Sequence, residues 1–256
     1  MDAFKLKWIA IIGMILNHIV IGWWEIIPTW LAVPLYAAGG LTFPIMAYFV
    51  VEGYKHTSNL KKYLLRLFIF GVIAAFFHPF VFGSIIMNIM FTIIVGIISL
   101  VLYDRMKSRS LFWVVFVILC LLTMFPIAFD WSIIGLVVIL LTHIIHDEKK
   151  RRIVPAVVSG VFMIFFSLLG VLAFSSPYVQ EEMEISGMDE TLMLVSTTFC
   201  IGCFAAALLL KNFNGERGQR MKWIFYIFYP LHLAVIGGVA LALGLVDFSV
   251  FQLIIL

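Results

Sequence analysis

The sequence predicts an all-α polytopic integral membrane protein that crosses the bilayer nine times. Of its 256 residues, 64% are hydrophobic and only 12% are charged, whereas soluble domains carry about 25% charged residues. The apolar residues form successive runs close to the ~20 residues that a helix needs to cross the hydrocarbon core. The lysines and arginines lie in the segments at alternate ends of these runs or within about one turn of those ends.

Turn signals separate the nine apolar runs and define the predicted spans. The spans are 6–26, 31–53, 62–82, 85–103, 110–128, 131–147, 154–174, 191–210 and 222–244. Residues 248–256 are apolar but too short to cross a bilayer. We expect residues 1–256 to form a single transmembrane domain, because no internal repeat or polar domain interrupts the runs.

The basic residues predict the orientation of the chain. All 17 Lys and Arg residues fall on one side of the nine-span arrangement, and the acidic segments (Glu25, Asp130, 181–190 and Asp247) fall on the other. The basic clusters are Lys5 and Lys7; Lys55, Lys61, Lys62 and Arg66; Arg105, Lys107 and Arg109; 149–152; and Lys211, Arg217, Arg220 and Lys222. The positive-inside rule then predicts a cytoplasmic N-terminus and an outside C-terminus.

The first span contains polar residues that lipid would penalise. Lys7 and His18 are eleven positions apart, about three helical turns, so they share one face roughly 16 Å apart along the axis. Asn17 and His18 lie within apolar sequence, and such residues often mark functional sites. The alternative is an imidazole that simply bonds a neighbouring helix.

The last span repeats this arrangement. His232 follows Lys222 by ten residues and Tyr229 by three, and Pro230 interrupts the backbone ladder. His18 and His232 are therefore predicted at nearly the same depth, which favours a common site.

Polar residues also cluster at the predicted ends of the spans. Arg66, one turn inside the third span, is expected to snorkel or to pair with Glu52 or with a ligand phosphate. On the outer side, Asn88 is expected to bond across helices. Asp130 either caps the sixth helix or belongs to the site. His143, by contrast, is interpreted as part of an interfacial helix end.

Basic residues at the predicted cytoplasmic ends of the spans, with histidines deeper in the membrane, suit transfer of a chemical group. The donor would be an anionic molecule in the cytosol, and the acceptor would lie in or beyond the bilayer. Histidine is a common general base, and Lys or Arg suits phosphates. The sequence has no P-loop, G-x-G-x-x-G, H-E-x-x-H or G-x-S-x-G. A nucleotide hydrolase or zinc protease is not expected, nor is a metal site or a nucleic-acid partner.

Five segments occur in order along the chain: Lys7-x10-His18; 43–57 with Glu52-Gly53-Tyr54-x-His56; Tyr63-Leu-Leu-Arg66-Leu67; Asn88-Ile-Met-Phe-Thr92; and Tyr229-Pro230-Leu231-His232-Leu233. Together they resemble the F-pilin acetylase (TraX) family, and the first also resembles the basic-x10-His motif of the wider transmembrane acyltransferase superfamily. Asp130 falls where the family tends to carry an acidic residue beside an aromatic one. The resemblance covers nearly the whole chain.

The resemblance implies a multi-pass protein of the bacterial plasma membrane that transfers an acetyl group from cytosolic acetyl-CoA, with His18 as base. The acceptor would be an amine or hydroxyl, on a peptide N-terminus or a cell-surface glycan. The expected catalytic residues are His18, Asn17, His232 and Glu52; the donor-binding residues are Lys7, Arg66, Lys62, Tyr54 and His56; the acceptor-binding residues are Asn88, Asp130 and Tyr229.

One position departs from the family pattern. Family members usually have Asp before this histidine, and here it is Asn17, whose amide can orient an imidazole but cannot stabilise its protonated form by charge. Either Glu52 or Asp130 supplies the charge, or the activity is reduced or absent. The alternative functions are a small transporter or flippase that uses the same polar track, and a non-catalytic or structural membrane protein.

Overall fold

The computed structural model describes residues 1–84, 86–174, 190–219 and 222–246, and this part of the chain is helical, with no β-strand. A 3-10 turn at Trp24–Ile26 follows the first helix. The α-helices are α1 Ala3–Gly22, α2 Thr29–Gly39, α3 Thr42–His56, α4 Leu60–Phe77, α5 Pro79–Phe82, α6 Ile89–Arg105, α7 Arg109–Leu122, α8 Ser132–Ile144, α9 Glu148–Phe174, α10 Glu190–Thr197, α11 Phe199–Lys211 and α12 Lys222–Ala242.

Five helical segments of this described part are long and apolar enough to cross a membrane, so the chain is an all-α membrane protein. They are Ala3–Gly22, Thr29–His56, Glu148–Leu172, Leu194–Lys211 and Trp223–Ala242. Helices also occupy the other four predicted spans, but they are shorter or, in α4, more charged at the start. The acidic stretch 181–189 and Asp247 lie outside the described residues.

Side chains in the sequence set several helix starts. Asp2, Asn59, Asn88 and Ser108 each accept a hydrogen bond from a backbone amide in the first turn of α1, α4, α6 and α7, respectively. Such caps satisfy amides that have no partner within the helix.

Two predicted spans are broken where glycines allow backbones to touch. The second span divides into α2 and α3 beside Gly40, and the eighth divides into α10 and α11 at Thr198. A Cβ atom at Gly40 would lie 2.0 Å from the carbonyl oxygen of Phe199, and one at Gly202 would lie 2.0 Å from that of Ala37. The two broken spans therefore pack against each other through their backbones.

Helix faces divide between the protein interior and the surrounding medium. On α7, Phe112, Phe116 and Cys120 are buried against α6 and α8, whereas Val114 and Leu121 on the opposite face are 57% and 52% exposed. An apolar face left exposed in this way is what a bilayer requires of a peripheral helix.

Contacts between helix ends gather the basic clusters at one end of the bundle, here called the basic end. Four contacts link the clusters: Met1 with Asn212, Arg152 with Phe213, Arg151 with Glu52, and Tyr54 with Asp104. The first and last described helices, α1 and α12, both begin there and run parallel.

Candidate functional site

Two buried histidines meet where α1 packs against α12. Nδ1 of His18 lies 2.7 Å from Nε2 of His232, and the two residues are 7% and 6% exposed. The expectation that these histidines share one depth is therefore confirmed. We call them the histidine pair.

The hydrogen bonds of the histidine pair assign its tautomers. Nδ1 of His232 lies 3.0 Å from the carbonyl oxygen of Phe228, which can only accept, so this nitrogen carries the proton. In a neutral ring Nε2 of His232 is then an acceptor, and Nδ1 of His18 must donate to it. Nε2 of His18 is consequently the ring nitrogen of the histidine pair that keeps a free lone pair.

The rings around the histidine pair are mostly apolar. The Phe82 ring lies edge-on to His18 with centroids 5.0 Å apart, and Phe228 stacks on His232 at 4.9 Å. His78 stacks on the same Phe82 at 4.1 Å, is 1% exposed, and neither of its ring nitrogens has a hydrogen-bond partner in the described structure. The position of His78 beside the pair was not predicted from the sequence.

Asn17 is not brought to the histidine pair. Its side chain packs against Gly39 of α2, where a Cβ atom would lie 2.5 Å from that of Asn17. Its Oδ1 is buried without a hydrogen-bond partner among the described residues. Neighbouring positions on a helix point about 100° apart, so Asn17 faces α2 while His18 faces α12. The residue that orients the His18 ring is therefore His232 and not Asn17.

Tyr229 lies beside the pair, about one turn of α12 nearer the basic end than His232, and Asp130 lies close to Tyr229. The Tyr229 ring centroid is 5.4 Å from that of His232, and its hydroxyl is buried without a partner in the described part of the chain. Asp130 is close enough to interact electrostatically with both Tyr229 and Tyr36. Unpartnered polar atoms of this kind are available to a ligand.

The backbone of Asp130 holds its carboxyl group in place. Its amide donates to the carbonyl of Met87 at 2.7 Å, and its carbonyl accepts from the Thr92 hydroxyl. Burial raises the pKa of the Asp130 carboxyl to about 7. Helix α8 begins at Ser132, and its N-cap residue is Trp131, which has a φ of 61° and forms no side-chain cap. The capping interpretation of Asp130 is therefore wrong.

Both polar atoms of the Asn88 side-chain amide form hydrogen bonds to the backbone. Its Nδ2 donates to the carbonyl of Gly71 at 2.8 Å, and its Oδ1 accepts from Met90 at 3.1 Å. The expected bond across helices is confirmed. The side chain is fully buried and fastens α6 to α4, so its observed contacts are structural.

Two cations flank the first turns of α12, nearer the basic end than the histidine pair. The Lys7 ammonium lies 4.8 Å from the ring centroid of Phe49 and 5.3 Å from that of Phe225. The Arg66 guanidinium lies 5.5 Å from the Tyr226 ring, and its Nε is buried without a partner in the described structure. Among the residues that the structure describes, neither Lys7 nor Arg66 forms an ion pair with a carboxylate.

Glu52 pairs with a different arginine from the one expected. Its Oε1 accepts from Nη2 of Arg151 at 2.5 Å, and the same nitrogen donates to the Tyr48 hydroxyl at 3.0 Å. The expected pair with Arg66 is wrong, because the start of α9 packs against the last turns of α3 while Arg66 points toward α12. Glu52 is therefore neutralised away from the histidine pair.

The remaining predicted donor-binding residues do not join Lys7 and Arg66. Tyr54 donates to Asp104 at 2.7 Å, and His56 donates to the carbonyl of Glu52 at 2.9 Å. The exposed Lys62 has a backbone amide capped by Asn59. These residues lie at the basic end, outside the region between Arg66 and His232.

Sequence reasoning missed a second polar cluster at the basic end. Asp104 accepts from the Tyr54 hydroxyl at 2.7 Å and lies 2.8 Å from Nε2 of His143. Burial alone would raise the pKa of the Asp104 carboxyl, but the hydrogen bonds from His143 and Tyr54 outweigh burial and lower it. The cluster joins α3, α6 and α8, and no sequence spacing could indicate that contact.

The described residues contain no group of three histidine, cysteine or carboxylate side chains that could hold a metal ion. The site instead combines a ring nitrogen with a free lone pair and, nearer the basic end, two cations. Nε2 of His18 can take a proton from an acceptor, and Lys7 and Arg66 are free to bind an anion.

Comparison with known proteins identifies related sequences. The profile of the TraX protein family matches residues 3–240. The chain is similar to the "Probable fimbrial assembly protein FimC, serogroup H1" of Dichelobacter nodosus, with 26% identity over 254 residues that cover 92% of this chain and 94% of that protein. No solved structure matches the chain. Because the family profile covers nearly its whole length, the chain belongs to the TraX family.

Proposed function

We propose that the protein is a membrane-embedded acetyltransferase of the bacterial plasma membrane, with acetyl-CoA as donor and an amine or hydroxyl as acceptor. The histidine pair carries this proposal. Its tautomers leave a lone pair on Nε2 of His18, while His232 fixes the ring through Nδ1. A base held in one tautomer by a neighbour is the arrangement that general-base catalysis needs.

In the proposed reaction, Nε2 of His18 takes the proton of the acceptor as its nitrogen or oxygen attacks the thioester carbonyl. A bond forms between the acceptor and the acetyl carbon, and the bond from that carbon to sulfur breaks. The proton then passes from His18 to the departing thiolate of CoA, so the dyad returns to its starting state.

The departure at Asn17 is compatible with this mechanism. His232 supplies the orienting hydrogen bond that a carboxylate would give. Between the two carboxylates that could offset the charge on His18, Glu52 is already paired with Arg151. Asp130, which interacts electrostatically with Tyr229, is the better candidate.

Lys7 and Arg66 would hold the phosphates of acetyl-CoA. Neither has a carboxylate partner among the described residues, and Nε of Arg66 is buried and unpartnered. Lys7 and His18 are separated by roughly 16 Å along α1, which suits a donor with charged groups at one end of a long arm and a thioester at the other. Both cations lie toward the basic end, which the positive-inside rule assigns to the cytoplasm.

We propose the nine-span arrangement with a cytoplasmic N-terminus and an outside C-terminus. Parallel packing of α1 and α12 fits first and ninth spans that enter from the same side. The acceptor would then reach the histidine pair from the outer side, near Asp130, and Tyr229 would contact it one turn closer to the basic end. The name of the relative, a fimbrial assembly protein, favours a peptide N-terminal amine over a cell-surface glycan.

The donor site is tested by acetyl-CoA binding to the full chain in nanodiscs. We expect binding to weaken when the 3′-phosphate is removed and in Arg66→Ala and Lys7→Ala, while Lys107→Ala, an exposed lysine at the same end, serves as control. No binding of any CoA species, or equal loss in the control, would contradict the assignment. His18→Ala should bind acetyl-CoA normally and fail to transfer the acetyl group.

A further inference from the structure

A groove lies between α4 and α6, away from the histidine pair. It has a volume of about 440 Å³ and lies at the basic end, between the start of α4 and the end of α6. Lys61 and Arg105 line it together with apolar side chains that include Leu64 and Ile98. We call it the α4–α6 groove.

The charges of the two basic residues that line the groove are not neutralised. Lys61 and Arg105 are exposed, and across the described residues neither forms an ion pair. The carboxylate next to Arg105, that of Asp104, is held by Tyr54 and His143 instead. Two cations therefore remain available to an anion at this position.

The groove is separate from the proposed acetyl-CoA site. Arg66 and Phe70 lie on the face of α4 that packs against Tyr226 of α12. Lys61 and Leu64 lie on another face, because position 64 is about 200° around the helix from position 66. A ligand in the groove would therefore not occupy the region between Arg66 and His232.

The groove opens toward an apolar outer surface. Leu65 and Phe68 on α4 are 56% and 52% exposed, and Ile98 in the wall of the groove is 38% exposed. In a membrane protein such a surface faces acyl chains. The groove thus has basic groups at the level of a helix end and apolar walls on the side facing the bilayer.

We propose that the α4–α6 groove binds one anionic glycerophospholipid. Its phosphate lies between Lys61 and Arg105, and one acyl chain runs along Leu64 and Ile98. Basic pockets between helices at a membrane surface bind anionic head groups in this way. This inference goes beyond acetyl transfer and does not require it.

The test is lipid binding to the full chain in detergent, measured by native mass spectrometry with short-chain phosphatidylglycerol, phosphatidylcholine and glycerol phosphate. We expect phosphatidylglycerol to bind more tightly than phosphatidylcholine, and glycerol phosphate not to bind. In Lys61→Gln/Arg105→Gln the affinity for phosphatidylglycerol should fall roughly tenfold or more. The control Lys149→Gln/Lys150→Gln removes the same charge from exposed residues elsewhere at the basic end and should keep that affinity.

A second variant tests the wall of the groove without changing its charge. Ile98→Trp would fill the space beside Leu64 and should weaken phosphatidylglycerol binding while the elution volume of the protein is unchanged. Equal binding of the two phospholipids, or unaltered affinity in the double glutamine variant, would overturn the proposal. Displacement of phosphatidylglycerol by acetyl-CoA at the groove would overturn it too, because it would assign the groove to the nucleotide.

Discussion

The indole Nε1 of Trp23 donates a hydrogen bond to the carbonyl oxygen of Ile236, 3.1 Å away. Ile236 lies one turn beyond His232, and Trp23 lies five residues beyond His18. This bond therefore fixes the register of α1 against α12 immediately next to the histidine pair. A small shift between the two helices would change the distance from His18 to His232.

Replacing Trp23 with Phe should loosen this register while keeping an aromatic side chain. We expect the free energy of unfolding to fall by about 0.5–1.5 kcal/mol, the usual contribution of one hydrogen bond. Acetyl transfer should fall further than binding of acetyl-CoA, because the base is displaced and Lys7 is not. The measurement is a thermal melt in detergent with the kcat of the same preparation; an unchanged kcat would argue against coupling.

His232 should act as a positioning residue for His18, and two variants separate this role from packing. His232→Leu removes the acceptor for Nδ1 of His18, and we expect kcat to fall roughly 100-fold or more. His232→Gln offers a side-chain oxygen to the same atom and should retain part of the activity. Both variants should bind acetyl-CoA with the affinity of the unmodified protein. A fully active leucine variant would remove His232 from the mechanism.

The sequence was sufficient to predict those features that depend on helical periodicity and charge. Counting from Lys7 and Lys222 predicted that His18 and His232 lie at one depth, because a helix advances about 1.5 Å per residue. The clustering of Lys and Arg at alternate ends of the apolar runs likewise predicted that the basic clusters gather at one end. Each of these predictions rests on the geometry of a single helix.

Contacts set by helix packing could not be predicted in the same way. Glu52 was expected near Arg66 because the two are close in sequence, but the packing of α9 against α3 brings Arg151 instead. Asn17 adjoins His18 in sequence, yet its rotation about α1 turns it toward Gly39. A partner distant in sequence is decided by which helices touch, and one sequence without homologues does not contain that information.

Asp130 should make stability depend on pH in a direction opposite to that of most carboxylates. Its folded pKa of about 7 exceeds the ordinary value of 3.8, so the folded protein holds this proton more tightly than the unfolded chain. The stabilisation is complete below pH 3.8 and is lost as the pH rises through 7. Asp130→Asn, which remains neutral, should therefore melt at a higher temperature than the unmodified protein at pH 8.

At pH 5 the difference in melting temperature should be smaller than at pH 8, because Asp130 is still protonated in the folded state and only the unfolded chain has released its proton. If Asp130 also offsets the charge on His18, the asparagine variant should lose acetyl transfer even while it gains stability. A lower melting temperature for Asp130→Asn at pH 8 would contradict the raised pKa, and a normal kcat would remove the proposed electrostatic role.

Arg151 should contribute to stability without contributing directly to chemistry. Arg151→Met leaves Glu52 partly buried without its partner, and we expect a loss of about 2 kcal/mol, below the value for a fully buried pair because the Glu52 side chain is 27% exposed. Adding Glu52→Gln removes the stranded charge, so the double variant should recover part of the loss. The measurement is a double-mutant cycle of unfolding in detergent. Additive effects of the two substitutions would show that the ion pair does not hold α9 against α3.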